Sequence, residues 1–318
     1  MTSSSEEKFR ECVGHTEIRI PVPYGHIAAK VWGPENGYPV LCVHGWQENA
    51  NSFDTLAPLI DSKFRLVCVD QAGCGLSSHY PVGFSYTTND TYLFLHRIVS
   101  FFGWEKFHYI GHSLGGGIGQ NFAAVFPEKV DRLVVLDLVK LIAYPTETQP
   151  KRTAQHVSQY YRHETEMATS EAPCYTRGEA LDRLLKVVPS LTKDSGLILL
   201  ERGLEPMEKR GSDGQQLYRY RRDIRVAFTS AMHMCIEQQR PFLKRIKCPM
   251  LLIKALSAPK YEGDAVHEET LQLFRENNPK FQYVEIDGDH HVHINSPEVV
   301  APLINDFLLS IDEGKTAE

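Results

Sequence analysis

Cysteine pairs at the spacing of a metal or disulfide motif are missing. Seven cysteines are scattered through 318 residues, an odd number with no C-x-x-C among them, which argues against a zinc site and a disulfide framework alike. Cys42, Cys68 and Cys248 lie within or beside apolar runs, where a free thiol behaves as a small hydrophobe. Long hydrophobic runs are missing too, since none approaches the ~20 apolar residues of a membrane span. The first residues, MTSSSEEKFRE, lack the apolar stretch of a secretory signal. The last, DEGKTAE, form neither a peroxisomal address nor a prenylation box. A cytoplasmic protein is the expectation.

Excess basic charge is absent. Lys and Arg number 34 against 40 Asp and Glu, a formal charge of −6, so neither nucleic acid nor an anionic membrane surface is expected as a partner. The one basic cluster, RYRRDIR (219–225), reads as a solvated helix face. No internal repeat or low-complexity tract occurs.

What is present is a rhythm of short apolar runs. EIRIPV and HIAAKVWG flank a PYG turn and read as a hairpin. PVLCVHG, RLVCVD, FHYIGH, RLVVLD, PMLLIKA and FQYVEIDG follow, nearly continuous in their apolarity rather than alternating. That is the signature of strands covered on both faces of a parallel sheet. Helical patterns separate them: SFDTLAPLI with a serine cap, TTNDTYLFLHRIVSFF, LGGGIGQNFAAVFPEKV and PEVVAPLINDFLLSI. From about 141 to 245 no convincing strand occurs and the text is polar and helix-periodic. The expected organisation is an α/β core in two parts, 1–140 and 246–318, interrupted by a helical insertion at 141–245.

Within this layout Gly111-His112-Ser113-Leu114-Gly115 falls where a buried strand gives way to a helix. This is G-x-S-x-G in the context of a nucleophile elbow. A serine lifted above the sheet needs a strained backbone, and its neighbours two residues away collide unless they are glycine. The helix that follows aims its N-terminal N–H groups toward the serine. A serine hydroxyl needs a base. His290, His291 and His293 compete in VEIDGDHHVHINSPE, and His290 holds the favoured slot, seven residues before Pro297. A metal reading with Asp287 or Asp289 lacks a second cluster of ligands, so no metal and no cofactor are expected.

Acyl transfer also needs oxyanion donors. The backbone N–H groups of Trp46, after His44-Gly45, and of Leu114 fit that role, with His44 bracing the loop. The expected acid is Asp137, 24 residues after Ser113, with Glu262 and then Asp264 in LLIKALSAPKYEGDA as alternatives. The acid is needed to set the histidine tautomer. CVDQAGCGLSSHY (68–80) is a tight turn in which Asp70 bonds the loop backbone, its third glycine being absent for a dinucleotide site.

Taken together, strand-HGW, D-x-x-G-x-G-x-S, G-H-S-x-G-G and a late G-x-H before S-P-E resemble the α/β-hydrolase fold. More narrowly, VPYGHIAAKVWG, VLCVHGWQENANSFD, GHSLGG and LLIKA resemble the animal serine hydrolase-like proteins, also called the Kraken type. The resemblance implies a mostly parallel central sheet with flanking helices, a helical cap formed by 141–245, and a Ser–His–acid hydrolase, but names no substrate. The expected reaction is cleavage of a small or medium apolar ester or acyl compound, a small-molecule acyl substrate, through an acyl-enzyme. It also implies a carboxylate in an aromatic-flanked position after LLIKA, nearest here to Tyr261-Glu262, although LSAPK departs from the pattern. Haloalkane dehalogenases and epoxide hydrolases share the fold but attack with aspartate, which Ser113 argues against. A hydrolase-like binding protein with little turnover is the second reading, sustained by the lack of a carboxylate directly after LLIKA.

Overall fold

The computed structural model describes residues 14–169, 173–228 and 234–310. Its eight-stranded sheet runs in the order β1-β2-β4-β3-β5-β6-β9-β10. The strands are β1 (His15–Val22), β2 (Gly25–Trp32), β3 (Tyr38–Val43), β4 (Phe64–Val69), β5 (Phe107–His112), β6 (Val130–Leu136), β9 (Met250–Ala255) and β10 (Phe281–Ile286). β1 and β2 form an antiparallel hairpin, β2 joins β4 antiparallel, and every other pairing is parallel.

The continuous apolarity of the central strands has a direct cause. Along β3, Leu41 and Val43 point into one core and Val40 and Cys42 into the other, all four fully buried. Helices α1 (Thr88–Phe102) and α2 (Leu114–Val125) cover the first face, and α9 (Pro297–Leu309) covers the second. α1 begins with a capping box of Thr87 and Asp90 and ends at Gly103 with φ 66°, both standard ways of satisfying helix-end groups. No described helix is long and apolar enough to cross a membrane.

SFDTLAPLI does not form the expected helix. It folds as two short 3-10 turns, Ala50–Phe53 and Ala57–Leu59. Asn49 caps the first by accepting from the Asn51 N–H, and Pro58 sits in the second. A proline lacks the N–H that a continuing helix would use, so the chain closes into tight turns instead.

The segment between β6 and β9 carries α3 (Gln149–Thr169), α4 (Arg177–Val187), α5 (Lys193–Gly203) and α6 (Ile236–Arg245). It is not wholly helical. β7 (Leu204–Arg210) and β8 (Gln216–Tyr220) pair as a separate antiparallel hairpin. Its polar strand LEPMEKR leaves most side chains exposed, so no apolar alternation announces it. RYRRDIR is likewise not a solvated helix face. Arg219 and Tyr220 end β8, while Arg225 is buried. Its guanidinium binds Asp223 and donates to the carbonyls of Tyr80, Pro81 and Phe84, the dense pairing that a buried charge requires.

Arg202 on α5 ties this segment to the core. It pairs with Asp70 at 2.8 Å and with Glu17 at 2.6 Å. Asp70, at the end of β4, also accepts from the N–H groups of Ala50 and Leu76. Helices α7 (Asp264–Asn277) and α8 (Val292–Asn295) complete the chain order.

Candidate active site

Ser113 stands between β5 and α2 with φ 48° and ψ −119°. A β-carbon at Gly111 would strike the backbone of Gly115 and Gly116, and one at Gly115 would strike the carbonyls of Val43 and His44. Backbone atoms cannot swing aside, so both glycines are required for the turn to form. The Ser113 N–H is held by the Leu136 carbonyl at 2.8 Å. Two other non-glycine residues among those described have positive φ, Gln47 at 62° and Asp137 at 54°. All three lie at this one place, and strain of this kind gathers at functional sites.

The loop after β10 brings His290 over the elbow. Its Nε2 lies 3.0 Å from Ser113 Oγ and its Nδ1 lies 2.5 Å from Asp137 Oδ2. A carboxylate only accepts, so Nδ1 carries the proton and Nε2 presents its lone pair to the serine hydroxyl. Burial lowers the His290 pKa, against the hydrogen bond it donates to Asp137, and the neighbouring His112 lowers it further.

Asp137 ends β6 and is buried. Its Oδ1 accepts from Lys254 Nζ at 2.6 Å and from the Ala255 N–H at 2.9 Å. Glu262 and Asp264 are engaged elsewhere. Glu262 pairs with Lys140 and accepts from the Ala143 N–H at 2.9 Å. Asp264 is exposed and pairs with Lys260 at 2.7 Å.

Leu114 opens α2, and a helix leaves its first N–H groups without internal partners. Trp46 follows Gly45 in the β3 loop, half exposed, its indole N–H donating to the Val226 carbonyl at 3.3 Å. His44 is fully buried and uses both ring nitrogens on the loop: Nδ1 reaches the Gly45 carbonyl at 2.8 Å, and Nε2 accepts the Gln71 N–H at 3.0 Å. Burial lowers its pKa.

His112, His291 and His293 gather behind His290 around Glu48. His112 Nδ1 lies 2.8 Å from Glu48 Oε1, while its Nε2 donates to the His290 carbonyl at 2.8 Å. Both nitrogens thus face oxygens that only accept, which favours the charged imidazolium. Burial would lower its pKa, but the Glu48 carboxylate raises it. Glu48 in turn is held well below the usual carboxylate range, the pull of His112 and His291 overcoming its burial. His291 reaches Glu48 at 3.2 Å and the Ser190 hydroxyl at 2.8 Å. His293 bonds Ser52, which donates to Glu48 at 2.6 Å.

Glu48, His112 and His291 place three donor atoms within 4.8 Å of one another, a convergence that could hold a cation. It does not involve Asp287 or Asp289. The sequence conceals it because the residues come from three distant segments. Both ring nitrogens of the set already lie against Glu48 Oε1, at 2.8 Å for His112 and 3.2 Å for His291.

An eight-stranded sheet with a serine elbow and a facing histidine–aspartate pair defines the α/β-hydrolase class. The model of that family, the alpha/beta hydrolase fold, matches residues 38–297. This chain belongs to the α/β-hydrolase family and, within it, to the serine hydrolase-like proteins. The serine hydrolase-like protein of Mus musculus is 34% identical over 95% of this chain and 98% of its own length. That of Danio rerio is 34% identical over 92% of this chain and 88% of its own. Among solved structures, a hypothetical protein of Pseudomonas aeruginosa PAO1 superimposes with a TM-score of 0.78 at 28% identity, covering 92% of this chain and 97% of that one.

Proposed function

We propose that this protein is a serine hydrolase that cleaves an ester of a small or medium apolar acyl group through an acyl-enzyme. One observation carries the reading: an unbroken run from Ser113 Oγ through the His290 ring to Asp137, with contacts of 3.0 and 2.5 Å. Ser113 attacks the carbonyl carbon while His290 Nε2 takes the hydroxyl proton. The imidazolium then returns that proton to the leaving group, and water repeats the sequence to free the acid. Asp137 holds the ring in the Nδ1–H tautomer. The N–H groups of Trp46 and Leu114 receive the oxyanion, each worth roughly 10²–10³ in rate.

Residues 141–245 act as the cap. Ser190 bonding His291 and Val226 accepting from Trp46 bring that segment to the edge of the site. A cavity of about 70 Å³ adjoins the oxyanion loop, lined by Gly45, Leu114, Ala72, Cys74, Phe94 and Ile118 among others. Its largely apolar wall suits the acyl chain. The free cysteines among the described residues suit a reducing, cytoplasmic setting. The alternative of a binding protein with little turnover drew on the missing carboxylate after β9. With Asp137 against His290 it has no observation of its own.

The test is pre-steady-state hydrolysis of p-nitrophenyl butyrate. A burst of nitrophenol stoichiometric with enzyme, followed by turnover, is the expected result. Thermal stabilisation by the ester without nitrophenol release would overturn the reading.

A further inference from the structure

A second hydroxyl competes for the lone pair that the mechanism assigns to Ser113. Tyr261 Oη lies 3.2 Å from His290 Nε2, against 3.0 Å for Ser113 Oγ. The two rings meet edge to face with centroids 5.6 Å apart. Tyr261 is held there by its loop. The Leu256 N–H bonds the Ile286 carbonyl at 2.9 Å, and the Ser257 N–H bonds the Gly288 carbonyl at 3.0 Å. On its other side Glu262 fastens the loop to Lys140 and the Ala143 N–H. The loop that carries the half-exposed Tyr261 is thus anchored on both sides of it, and the chemistry above gives the phenol no task.

The place it occupies has a meaning in acyl transfer. When the tetrahedral intermediate collapses, the bond from carbon to the leaving oxygen breaks and His290 Nε2–H gives its proton to that oxygen. The leaving oxygen must then stand within hydrogen-bond reach of Nε2, about 3 Å away. The Tyr261 hydroxyl marks that region. Once Nε2 carries a proton it no longer accepts from the phenol, and the leaving oxygen is the acceptor that remains.

We propose that Tyr261 donates a hydrogen bond to the leaving-group oxygen and that the site is built for oxygen esters of unactivated alkyl alcohols. This inference rests on the serine-hydrolase reading. The phenol keeps its own proton throughout; the proton transferred is the one that Ser113 gave to His290. Burial, with the charges of Asp137 and Glu48, pushes the phenol up to about 12, so it remains a donor at neutral pH. An alkoxide is a strong acceptor with lone pairs for both donors, so an alkyl ester gains most from Tyr261. Nitrophenolate is a weak base that departs with little help. Sulfur is a weak acceptor, so a thioester gains little.

The experiment compares Tyr261→Phe with wild type on three substrates sharing one acyl group: ethyl butyrate, p-nitrophenyl butyrate and the butyryl thioester of N-acetylcysteamine. Loss of one hydrogen bond in the transition state predicts a fall of about tenfold in kcat/KM for the ethyl ester. The other two should change by less than about threefold on the same argument. The ratio between substrates does not depend on the fraction of folded enzyme, so a stability defect cannot imitate the result. An equal fall on all three, or no fall on the ethyl ester, overturns the proposal while leaving the acyl-enzyme intact. Wild type inert toward all three, with Ser113 unmodified, overturns the serine-hydrolase reading and this inference with it.

Discussion

Lys254 Nζ lies 2.6 Å from Asp137 Oδ1, so the carboxylate that faces His290 carries a buried ammonium on its other oxygen. The positive charge helps to keep His290 neutral, because an imidazolium there would meet Lys254 as well as His112. Other groups around the ring are Asp137, His291, Tyr261 and Ser113, with Glu48 reached through His112 and His291. Burial lowers the His290 pKa from 6.5. The base must be neutral, so activity is present above its folded-state pKa and lost as pH falls through it. The acid limb of kcat/KM should therefore lie below pH 6.5. Lys254→Met removes a positive charge, stabilises the imidazolium and should move that limb to higher pH, whereas Lys254→Arg should restore it. A pH–rate profile of the three proteins checks this.

The competing carboxylates separate cleanly by mutation. Asp137→Asn should cost about 10³–10⁴ in kcat, the loss expected when the histidine tautomer is no longer held. Glu262→Gln touches only the loop anchored on Lys140 and Ala143 and should cost no more than about tenfold, the loss of a hydrogen bond or two. Kinetics on folded protein, checked by thermal melting, compare them.

Arg202 secures the inserted segment to the core through Asp70 and Glu17. Arg202→Leu leaves Asp70 buried with its charge uncompensated, and breaking such a pair costs about 3–5 kcal/mol. Urea melts should give an unfolding free energy lower by that amount, with a correspondingly lower midpoint. Glu17→Gln, at the more exposed end of the pair, should cost about 1 kcal/mol or less.

On the proposed reading, the cavity beside the Gly45–Trp46 loop takes the acyl chain. Ala72→Leu adds three carbons to a space of about 70 Å³. The variant should lose kcat/KM on longer p-nitrophenyl esters while retaining it on the acetate. A series from acetate to octanoate reads the shift.

Much of this arrangement was legible from the chain alone. The parallel strands declared themselves because both faces are buried, as Val40 to Val43 illustrate. The elbow was legible because its glycines are dictated by backbone contacts that no side chain can share. The acid was legible only in part: its place one helix and one strand after the elbow favours Asp137, but a loop of unknown path keeps Glu262 and then Asp264 as alternatives. What decides the geometry is Lys140, which engages Glu262, and the positive φ of Asp137, neither visible in a motif. The Glu48–His112–His291 network was hidden because it is assembled by the fold from three segments. The Leu204–Tyr220 hairpin was hidden because its strands bury little and so carry no alternation.

The most direct measurement is the site of covalent labelling by a fluorophosphonate. The account predicts one adduct per chain, located on Ser113 by peptide mass spectrometry, lost in Ser113→Ala and strongly slowed in His290→Ala. An adduct on another residue, or undiminished labelling of folded Ser113→Ala, would contradict it.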